Sequence, residues 1–547
     1  MKSTLKPIQR FWGLLNPDKR DLTYLYLYAI CNGIISLSLP IGIQAIMGLV
    51  LAGRLSASWG ILTVLVMLGV AVAGIFQIMQ LYIVEILQRR LFARAAFDFA
   101  YRIPKFKLKS LGNYYPPELV NRFFDTVNIQ KSLSKILLDF STSILQIIFG
   151  LILLSLYHPI FIAFGIVLLL ILFIIIYLTG RPGMRTSIEE SNYKYEMAFW
   201  LTELARAIPT FKLSASSELN FKRTDDILHN YVDSRKRHFK VLLSQYSSII
   251  ALKTLVTASL LVVGALLLIS NSITIGQFVA SEIVIILILN SSEKLIMSME
   301  AIYDVLTSIE KLGKVTDIEI EEPVKNALSL NAHASIGIKV KNLDVVGTLD
   351  QKIIRKNVNL TISAGTATCL VGDSGSGKTS LLKILSTSID NYNGTILYND
   401  IPLQNIDIEE LRKDIGCVFY DQEIFYGTFR ENISLGQEGI SDEDLVNIIK
   451  EVGLEKLILS FPDGYNHIIM NANSILSGTD RVRLIMARAL ITQPKLVLVE
   501  DVFSGLKEEN KMELLNLLFH RCKGKTLVMV SNDPSVKKEC QTVIELN

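Results

Sequence analysis

A glycine-rich run in the last third of the chain has the residue types and the spacing of a phosphate-binding loop. It reads GDSGSGKTS, follows the apolar stretch ATCLV and precedes the helix-like stretch LLKILS, so it has the strand–loop–helix context that phosphate binding requires. Glycines let backbone N–H groups turn inward around phosphates, the lysine reaches the β and γ oxygens, and the threonine hydroxyl can bind Mg²⁺. The predicted phosphate-binding residues are Gly372, Asp373, Ser374, Gly375, Ser376, Gly377, Lys378, Thr379 and Ser380.

The elements that must position this loop belong to a chain with two contrasting parts. Its 547 residues are too many for one compact core, and 50% of them are apolar whereas 20% are charged. Long apolar runs fill approximately the first 300 residues, and roughly the last 210 have the pattern of a soluble α/β domain. A net charge of +3 without blocks of like charge argues against a nucleic-acid partner. The five cysteines have no metal-ligand spacing, which indicates isolated thiols in a reduced compartment.

Six apolar stretches approach or exceed the length needed to cross a bilayer. They cover roughly residues 22–48, 58–80, 136–157, 159–180, 247–270 and 274–295. The connections after the second and fourth stretches are long and basic, so we expect them, and both termini, in the cytoplasm. Before the first stretch we predict an interfacial helix and no removable signal peptide. The apolar boundary of that helix would be formed by Phe11, Trp12, Leu14 and Leu15.

A few polar residues interrupt these apolar stretches. Glu282 lies about two turns into the sixth, and two interpretations stay open for it: a cavity-lining residue that contacts substrate, or a partner in an interhelical hydrogen bond. Local ion pairs explain two other carboxylates, since Glu293 is adjacent to Lys294 and Glu85 precedes Arg89 by one helical turn. We expect the glutamines at 77 and 80 to join helices to one another.

The order of the remaining motifs resembles that of the ATP-binding cassette (ABC) exporters. Downstream of the glycine-rich loop, four runs resemble the family's Q-loop segment, signature helix, Walker B strand with D-loop, and switch strand: RKDIGCVFYDQEIFYGTFRENI (412–433), LSGTDRVRLIMARAL (476–490), PKLVLVEDVFSGLK (494–507) and TLVMVSND (526–533). Two runs in the long basic loops resemble the tips that dock on nucleotide-binding domains: NYYPPELVNRFFDTV (113–127) and AIPTFKLSASSELNFKRTDD (207–226). The sixth stretch is similar to that of exporters that secrete peptides and proteins.

This resemblance implies a fold and a set of site residues. The fold is an all-α six-helix transmembrane domain (1–318), a linker (319–336) and an α/β P-loop NTPase domain (337–547). ATP and Mg²⁺ would be the ligands, and Thr379 and Glu500 would hold the metal ion. The implied catalytic residues are Glu500, Asp501 and Asn532, and Ser477 and Gly478 would bind the nucleotide held by a second chain.

Several positions depart from the family pattern. Tyr420 replaces the Q-loop glutamine, Asp480 ends the signature, Lys507 replaces the D-loop aspartate, and Gly347 stands where an aromatic ring would stack on adenine. The Walker B pair is inverted to Glu500-Asp501, and Asn532 replaces the switch histidine. Positioning errors near 1 Å can cost on the order of 100-fold in rate. We therefore predict that nucleotide binding is retained and that hydrolysis is weak or silent.

Two functions are compatible with these residues. One is a half-transporter that dimerises and couples ATP binding to export of a solute. The other is a catalytically silent membrane protein that uses nucleotide for structure or regulation. A homodimer is the default, a heterodimer with a second ABC half is the alternative, and membrane lipid and a periplasmic adaptor are further partners that the resemblance implies. We expect a bacterial inner membrane, a cytoplasmic nucleotide-binding domain and no leader-cleaving domain. A peptide or protein cargo is favoured, with lipids and drugs left open.

Overall fold

The computed structural model describes residues 7–51, 57–111, 115–214, 218–324, 327–330, 334–347, 353–470 and 476–546. Residue contacts divide the chain into two compact units. Unit 1 comprises Met1–Pro104 and Tyr115–Asp317, and unit 2 comprises Lys105–Tyr114 and Ile318–Asn547. A short piece of the first long loop is therefore part of the second unit.

Unit 1 is helical throughout its described elements. Its helices are α1 (Pro7–Leu15), α2 (Lys19–Ser36), α3 (Ser38–Leu51), α4 (Ala57–Arg102), α6 (Pro116–Asn121), α7 (Asp125–Lys135), α8 (Ser141–Tyr157), α9 (Ile160–Arg206), α10 (Ile208–Leu213), α11 (Leu219–Ile269) and α12 (Ile275–Thr316), and α5 (Leu108–Leu111) belongs to unit 2. A π-helical turn, Ile136–Phe140, joins α7 to α8. Among the described residues, six helical segments are long and apolar enough to cross a membrane, in agreement with the six predicted stretches.

Several of these helices are longer than a bilayer requires. The 47 residues of α9 correspond to about 70 Å at about 1.5 Å per residue, whereas the hydrocarbon core is about 30 Å thick.

The first span is interrupted between α2 and α3 at Leu37, three residues before Pro40, because proline lacks the N–H that would continue the helical ladder.

Ion pairs between distant residues hold parts of unit 1 together. Asp18 is 6% exposed and pairs with Arg90, at 3.2 Å, and with Arg94. Glu85 and Arg89 form the predicted one-turn pair, at 2.8 Å. The pairing expected for Glu293 is wrong, because its carboxylate accepts from Lys253 of α11.

Of the two glutamines predicted to join helices, Gln77 is exposed and Gln80 is buried. Gln80 is 2% exposed, but its Nε2 has no hydrogen-bond partner among the described residues, so the expected link between helices is absent at that atom. The reciprocal link between helices occurs instead at Gln88 and Gln130, where each side chain donates to the other's backbone carbonyl at 2.7 Å. Glu282 is half-buried on α12, and the two interpretations of its role both stay predictions.

Unit 2 is an α/β unit with two main sheets. Its strands are β1 (Ile338–Val346), β2 (Ile353–Ile362), β3 (Ala367–Val371), β4 (Tyr392–Tyr398), β5 (Ile401–Pro402), β6 (Ile415–Val418), β7 (Gly427–Thr428), β8 (Ile468–Ile469), β9 (Leu496–Val499), β10 (Thr526–Val530) and β11 (Thr542–Glu545). One described sheet is antiparallel with the order β2-β1-β4-β5, and the other is parallel with the order β11-β3-β10-β9-β6.

The parallel sheet forms because its central strands are continuous apolar runs. All residues of β3, β9 and β10 are buried, as is typical of strands covered on both faces. The helices of unit 2 beyond α5 are α13 (Lys378–Leu385), α14 (Ile408–Lys413), α15 (Phe429–Ser434), α16 (Asp442–Glu451), α17 (Glu455–Leu459), α18 (Gly478–Leu490), α19 (Glu508–Arg521) and α20 (Pro534–Glu539). The predicted fold class, a six-span helical part followed by an α/β part, is confirmed.

Within unit 2, the loop segment that begins at Lys105 pairs with the chain that follows α12. Phe106 and Ile320 form an antiparallel bridge, flanked by two backbone hydrogen bonds of 3.0 and 2.9 Å. Lys105 also pairs with Glu409 of α14. Arg412 of the same helix donates to both carboxylate oxygens of Glu321, at 2.6 and 2.7 Å. Residues 318–321 are thereby fixed to α14. Residues 113–114 and 215–217 of the two predicted loop tips lie outside the described residues.

Candidate nucleotide site

The glycine-rich loop connects the end of β3 to the start of α13. Gly372, Gly375 and Gly377 have φ values of 150°, 86° and 88°, which L side chains rarely adopt. A Cβ at Gly372 would lie 2.4 Å from the carbonyl oxygen of Leu546, so space as well as conformation requires glycine there. Gly377 is the residue before the first turn of α13, whose free N–H groups and dipole favour an anion.

Lys378 is held against the loop by its own ammonium group. Its Nζ donates to the carbonyls of Gly372 and Asp373, at 2.7 and 2.6 Å, and to Oγ of Ser376, at 3.2 Å. An ammonium group has three donors, and the loop satisfies each of them. An incoming phosphate must therefore replace contacts that the lysine already makes.

Two hard oxygen donors meet beside the loop. The hydroxyl of Thr379 donates to Oε1 of Glu500 at 2.8 Å, and the backbone N–H of Tyr420 donates to Oε2 at 3.1 Å. Glu500 follows β9 directly. A hydroxyl and a carboxylate that touch are suitable Mg²⁺ ligands, and few protein ligands are needed because Mg²⁺ keeps several waters. Among the residues that the structure describes, no cluster of three or more His, Cys, Asp or Glu side chains offers a metal cage.

Asp501 follows Glu500 directly and is half-buried. Burial raises the pKa of its carboxyl group, and the negative charge of Asp533 raises it further. Asp533 itself is exposed to solvent in part, and its hydrogen bond with Lys511 lowers its pKa to about 2. The two carboxyl groups thus have pKa values shifted in opposite directions.

Asn532 faces the loop from the end of β10. Its Oδ1 accepts from the N–H of Gly372 at 3.3 Å, and its Nδ2 donates to the carbonyl of the same residue at 3.1 Å. Both ends of the amide are therefore bonded to the first glycine of the loop. In this arrangement Asn532 positions the loop, which sequence reasoning did not anticipate.

A cavity of about 670 Å³ brings most of the predicted residues together. Its lining includes Ser374, Gly375, Ser376, Gly377, Lys378, Thr379, Ser380, Glu500, Asp501 and Asn532. Gly372 and Asp373 contact its lining through Asn532 and Lys378. Sequence reasoning missed Ile354, Ser504 and Ser531, which also line the cavity. No pattern in the sequence could have indicated the aliphatic Ile354, because it comes from a strand of the other sheet.

Comparisons with known proteins agree with this geometry. A model of the ABC transporter transmembrane region matches residues 22–292, and a model of the ABC transporter family matches residues 355–504. A solved structure of a bacterial Atm1-family ABC exporter with ATP bound matches with a TM-score of 0.86 and 17% identity, over 97% of this chain and 93% of that one. The chain belongs to the ABC exporter family.

Curated relatives of this ABC exporter include translocation ATP-binding proteins. The alpha-hemolysin translocation ATP-binding protein HlyB of Escherichia coli O157:H7 is 29% identical over 348 residues, which are 64% of this chain and 49% of HlyB. The multidrug resistance protein pgp-1 of Caenorhabditis elegans is 33% identical over 191 residues, 35% of this chain and 14% of that protein. The chain spans about half the length of the first secretion relatives that it matches. Membership of this family makes it an integral membrane protein with an ATP-binding domain.

The signature residues of this exporter lie at the start of α18 and do not line the cavity described above. Ser477 is the N-cap residue: its Oγ accepts from the N–H of Asp480 at 3.2 Å and donates to the Asp480 carboxylate at 2.6 Å. The carboxylate of Asp480 is therefore hydrogen-bonded within its own helix terminus. Gly478 is the first residue of α18, and its neighbourhood would accommodate a Cβ.

Three other positions depart from the family pattern, and one of them, Lys507, is the N-cap residue of α19. Tyr420 contributes its backbone to Glu500 while its side chain is 76% exposed and lines the cavity. Gly347 follows β1, and its carbonyl accepts from Asn391 at 2.7 Å. Residues 348–352, next to that position, lie outside the described residues.

Proposed function

We propose that this ABC exporter is a half-transporter that pairs with a second copy and couples ATP binding, with weak or silent hydrolysis, to export of a peptide or protein. The domains would be 1–318 and 337–547 with a linker at 319–336, and the membrane would be a bacterial inner membrane with the nucleotide-binding domain in the cytoplasm. The relation to translocation proteins such as HlyB supports the cargo class and a periplasmic adaptor as a partner.

The observation that carries the proposal is the contrast between the loop and its surroundings. The phosphate loop has all three glycines in the conformations that a cradle needs. Both ends of the Asn532 amide, in contrast, are hydrogen-bonded to Gly372. Asparagine also cannot carry a positive charge at neutral pH. These contacts support nucleotide binding by the loop without rapid hydrolysis.

The roles of the acidic pair follow from their contacts. Glu500 and Thr379 would hold Mg²⁺, which when bound would neutralise charge on the phosphates. Asp501 would orient water, but its side chain is one methylene shorter than a glutamate, and a displacement near 1 Å can cost on the order of 100-fold in rate. Since burial raises its pKa, any hydrolysis that uses the Asp501 carboxylate as a base should increase with pH until that group is ionised.

The experiment measures ATP affinity and ATP turnover of the purified full chain in lipid. Lys378→Met, which removes the phosphate ligand, defines the background, and Asp501→Asn tests the water-orienting carboxylate. We expect measurable ATP affinity in the native chain and turnover indistinguishable from that of Lys378→Met. If the native chain hydrolyses ATP well above background and Asp501→Asn abolishes this turnover, the prediction of silent hydrolysis is contradicted. Absence of ATP affinity would contradict the proposal as a whole.

The mass of the same sample in lipid nanodiscs tests the pairing. Two copies per particle support the homodimer, and one copy that pairs only with a different ABC half contradicts it. A homodimer is expected because an isologous pair is the commonest assembly of identical chains.

A further inference from the structure

An apolar cavity of about 400 Å³ lies inside unit 1, remote in sequence from the nucleotide loop. Four elements form its wall: α1, α2, the π-helical turn with the start of α8, and the C-terminal half of α12. Its volume is at the lower end of the range of ligand pockets, about 300–1,000 Å³. The cavity is therefore large enough for an elongated apolar group.

The lining is almost entirely hydrocarbon. The polar groups among the lining residues are the hydroxyls of Ser141 and Tyr26 and the indole N–H of Trp12, and no lining side chain is charged. The hydroxyl of Ser141 already donates to the carbonyl of Ile136, at 3.1 Å. Apolar cavities of this kind exclude water and take up apolar ligands.

Local structure explains why helices do not close this space. The π-helical turn Ile136–Phe140 adds a residue to one turn between α7 and α8, and such turns are frequent at functional sites. On the opposite wall, α1 buries Phe11 and Leu15, whereas Trp12 is 58% exposed although it also lines the cavity. Tryptophan and tyrosine favour the boundary between hydrocarbon and headgroups, which places Trp12 and Tyr26 at the rim.

The residues around the cavity indicate which kind of molecule can bind in it. The exposed residues Trp12, Tyr26 and Ile30 belong both to the cavity and to the outer surface of a membrane-spanning unit, so the cavity is continuous with the bilayer. An extended peptide segment would leave its backbone N–H and C=O groups without partners here, and a helix is too wide for the space between α1 and the spans. An acyl chain has no such groups.

We propose that this cavity is a binding site for one acyl chain of a membrane phospholipid in each copy of the chain. The acyl chain fills the space between α1 and the spans, and its headgroup lies at the level of Trp12. This inference depends on membrane insertion and is independent of whether ATP is hydrolysed. A ligand that binds the folded state alone stabilises it by mass action, so the lipid also stabilises the packing of α1.

The test compares two isoleucine-to-tryptophan variants on α8. Ile144 lines the cavity, and Ile148, one turn further along, is 45% exposed and does not line it. Each full-length protein is reconstituted with dioleoyl phosphatidylglycerol, washed in detergent and weighed by native mass spectrometry. We expect one retained phospholipid per chain in the native protein and in Ile148→Trp, and at least tenfold less in Ile144→Trp. Equal retention in all three proteins overturns the proposal.

A labelling experiment covers the case in which Ile144→Trp does not fold. The native chain is irradiated in vesicles of a phospholipid with a diazirine on one acyl chain, and labelled peptides are identified by mass spectrometry. Labelling concentrated in residues 7–15 and 136–145 supports the site. Labelling spread evenly over the outer surface, with residues such as Leu156 at 76% exposure labelled as strongly, shows annular lipid only and overturns it. An apolar peptide is also added as a competitor. If it occupies these two segments and abolishes their lipid labelling, the proposal is overturned as well.

Discussion

Replacing Asn532 by alanine tests how this side chain contributes to the nucleotide site. The substitution removes both hydrogen bonds to Gly372, of 3.3 and 3.1 Å. Both hydrogen bonds join neutral groups at an exposed position. Each therefore contributes about 0.5 kcal/mol to the stability of the loop conformation, the lower end of the usual net value. Their sum, about 1 kcal/mol, corresponds to roughly a fivefold weaker nucleotide affinity if they organise the loop for binding.

The assay is a titration of the full-length chain with fluorescent ATP and ADP. Since the bonds position the first glycine of the loop, we expect Asn532→Ala to weaken ATP and ADP equally. The matched control is Asn447→Ala, which truncates an exposed asparagine of α16 and should leave both affinities unchanged. A loss confined to ATP would refute the loop-positioning role and assign Asn532 to the γ-phosphate. Unchanged affinity for both nucleotides would refute any contribution.

Substitutions at three further positions test other contacts of unit 2. Ser477→Ala removes the N-cap of α18 and should destabilise unit 2 by about 1 kcal/mol in thermal unfolding, whereas Ser477→Thr, which keeps both the accepting oxygen and the O–H donor to Asp480, should not. Arg412→Lys loses the paired bonds to Glu321 and should increase hydrogen exchange at residues 318–321, an outcome that equal exchange would contradict. Hydrogen bonds from Lys511 and Ser535 lower the pKa of Asp533 to about 2, so these bonds contribute stability above the unfolded carboxyl pKa of about 3.9. That contribution is lost as pH falls from about 4 to about 2, and acid unfolding should lose part of this dependence in Lys511→Met, which keeps the Ser535 bonds.

The sequence predicts the parts of the fold that local patterns determine. Six long apolar runs were sufficient to predict six spans, because a bilayer admits only segments of that length and composition. The glycine loop was predictable for a similar reason, since its conformations are restricted to glycine.

Pairings between distant residues could not be predicted in the same way. The bond of Asn532 to Gly372 joins residues 160 positions apart and follows from the neighbouring positions of β3 and β10 in the sheet. The Glu293 carboxylate forms its ion pair with Lys253 and not with the adjacent Lys294, because neighbouring residues on a helix point in different directions. The cap between Ser477 and Asp480, in contrast, has the spacing of a capping box and could have been recognised.

The bridge between Phe106 and Ile320 also constrains the order in which the chain can assemble. The adjoining ion pair joins Lys105 to Glu409, which are 304 residues apart. During synthesis at about 5–20 residues per second, the segment from Lys105 waits for on the order of 15–60 s before its partner on α14 exists. Unit 2 therefore completes its fold late, and the early segment must stay soluble or be protected until then.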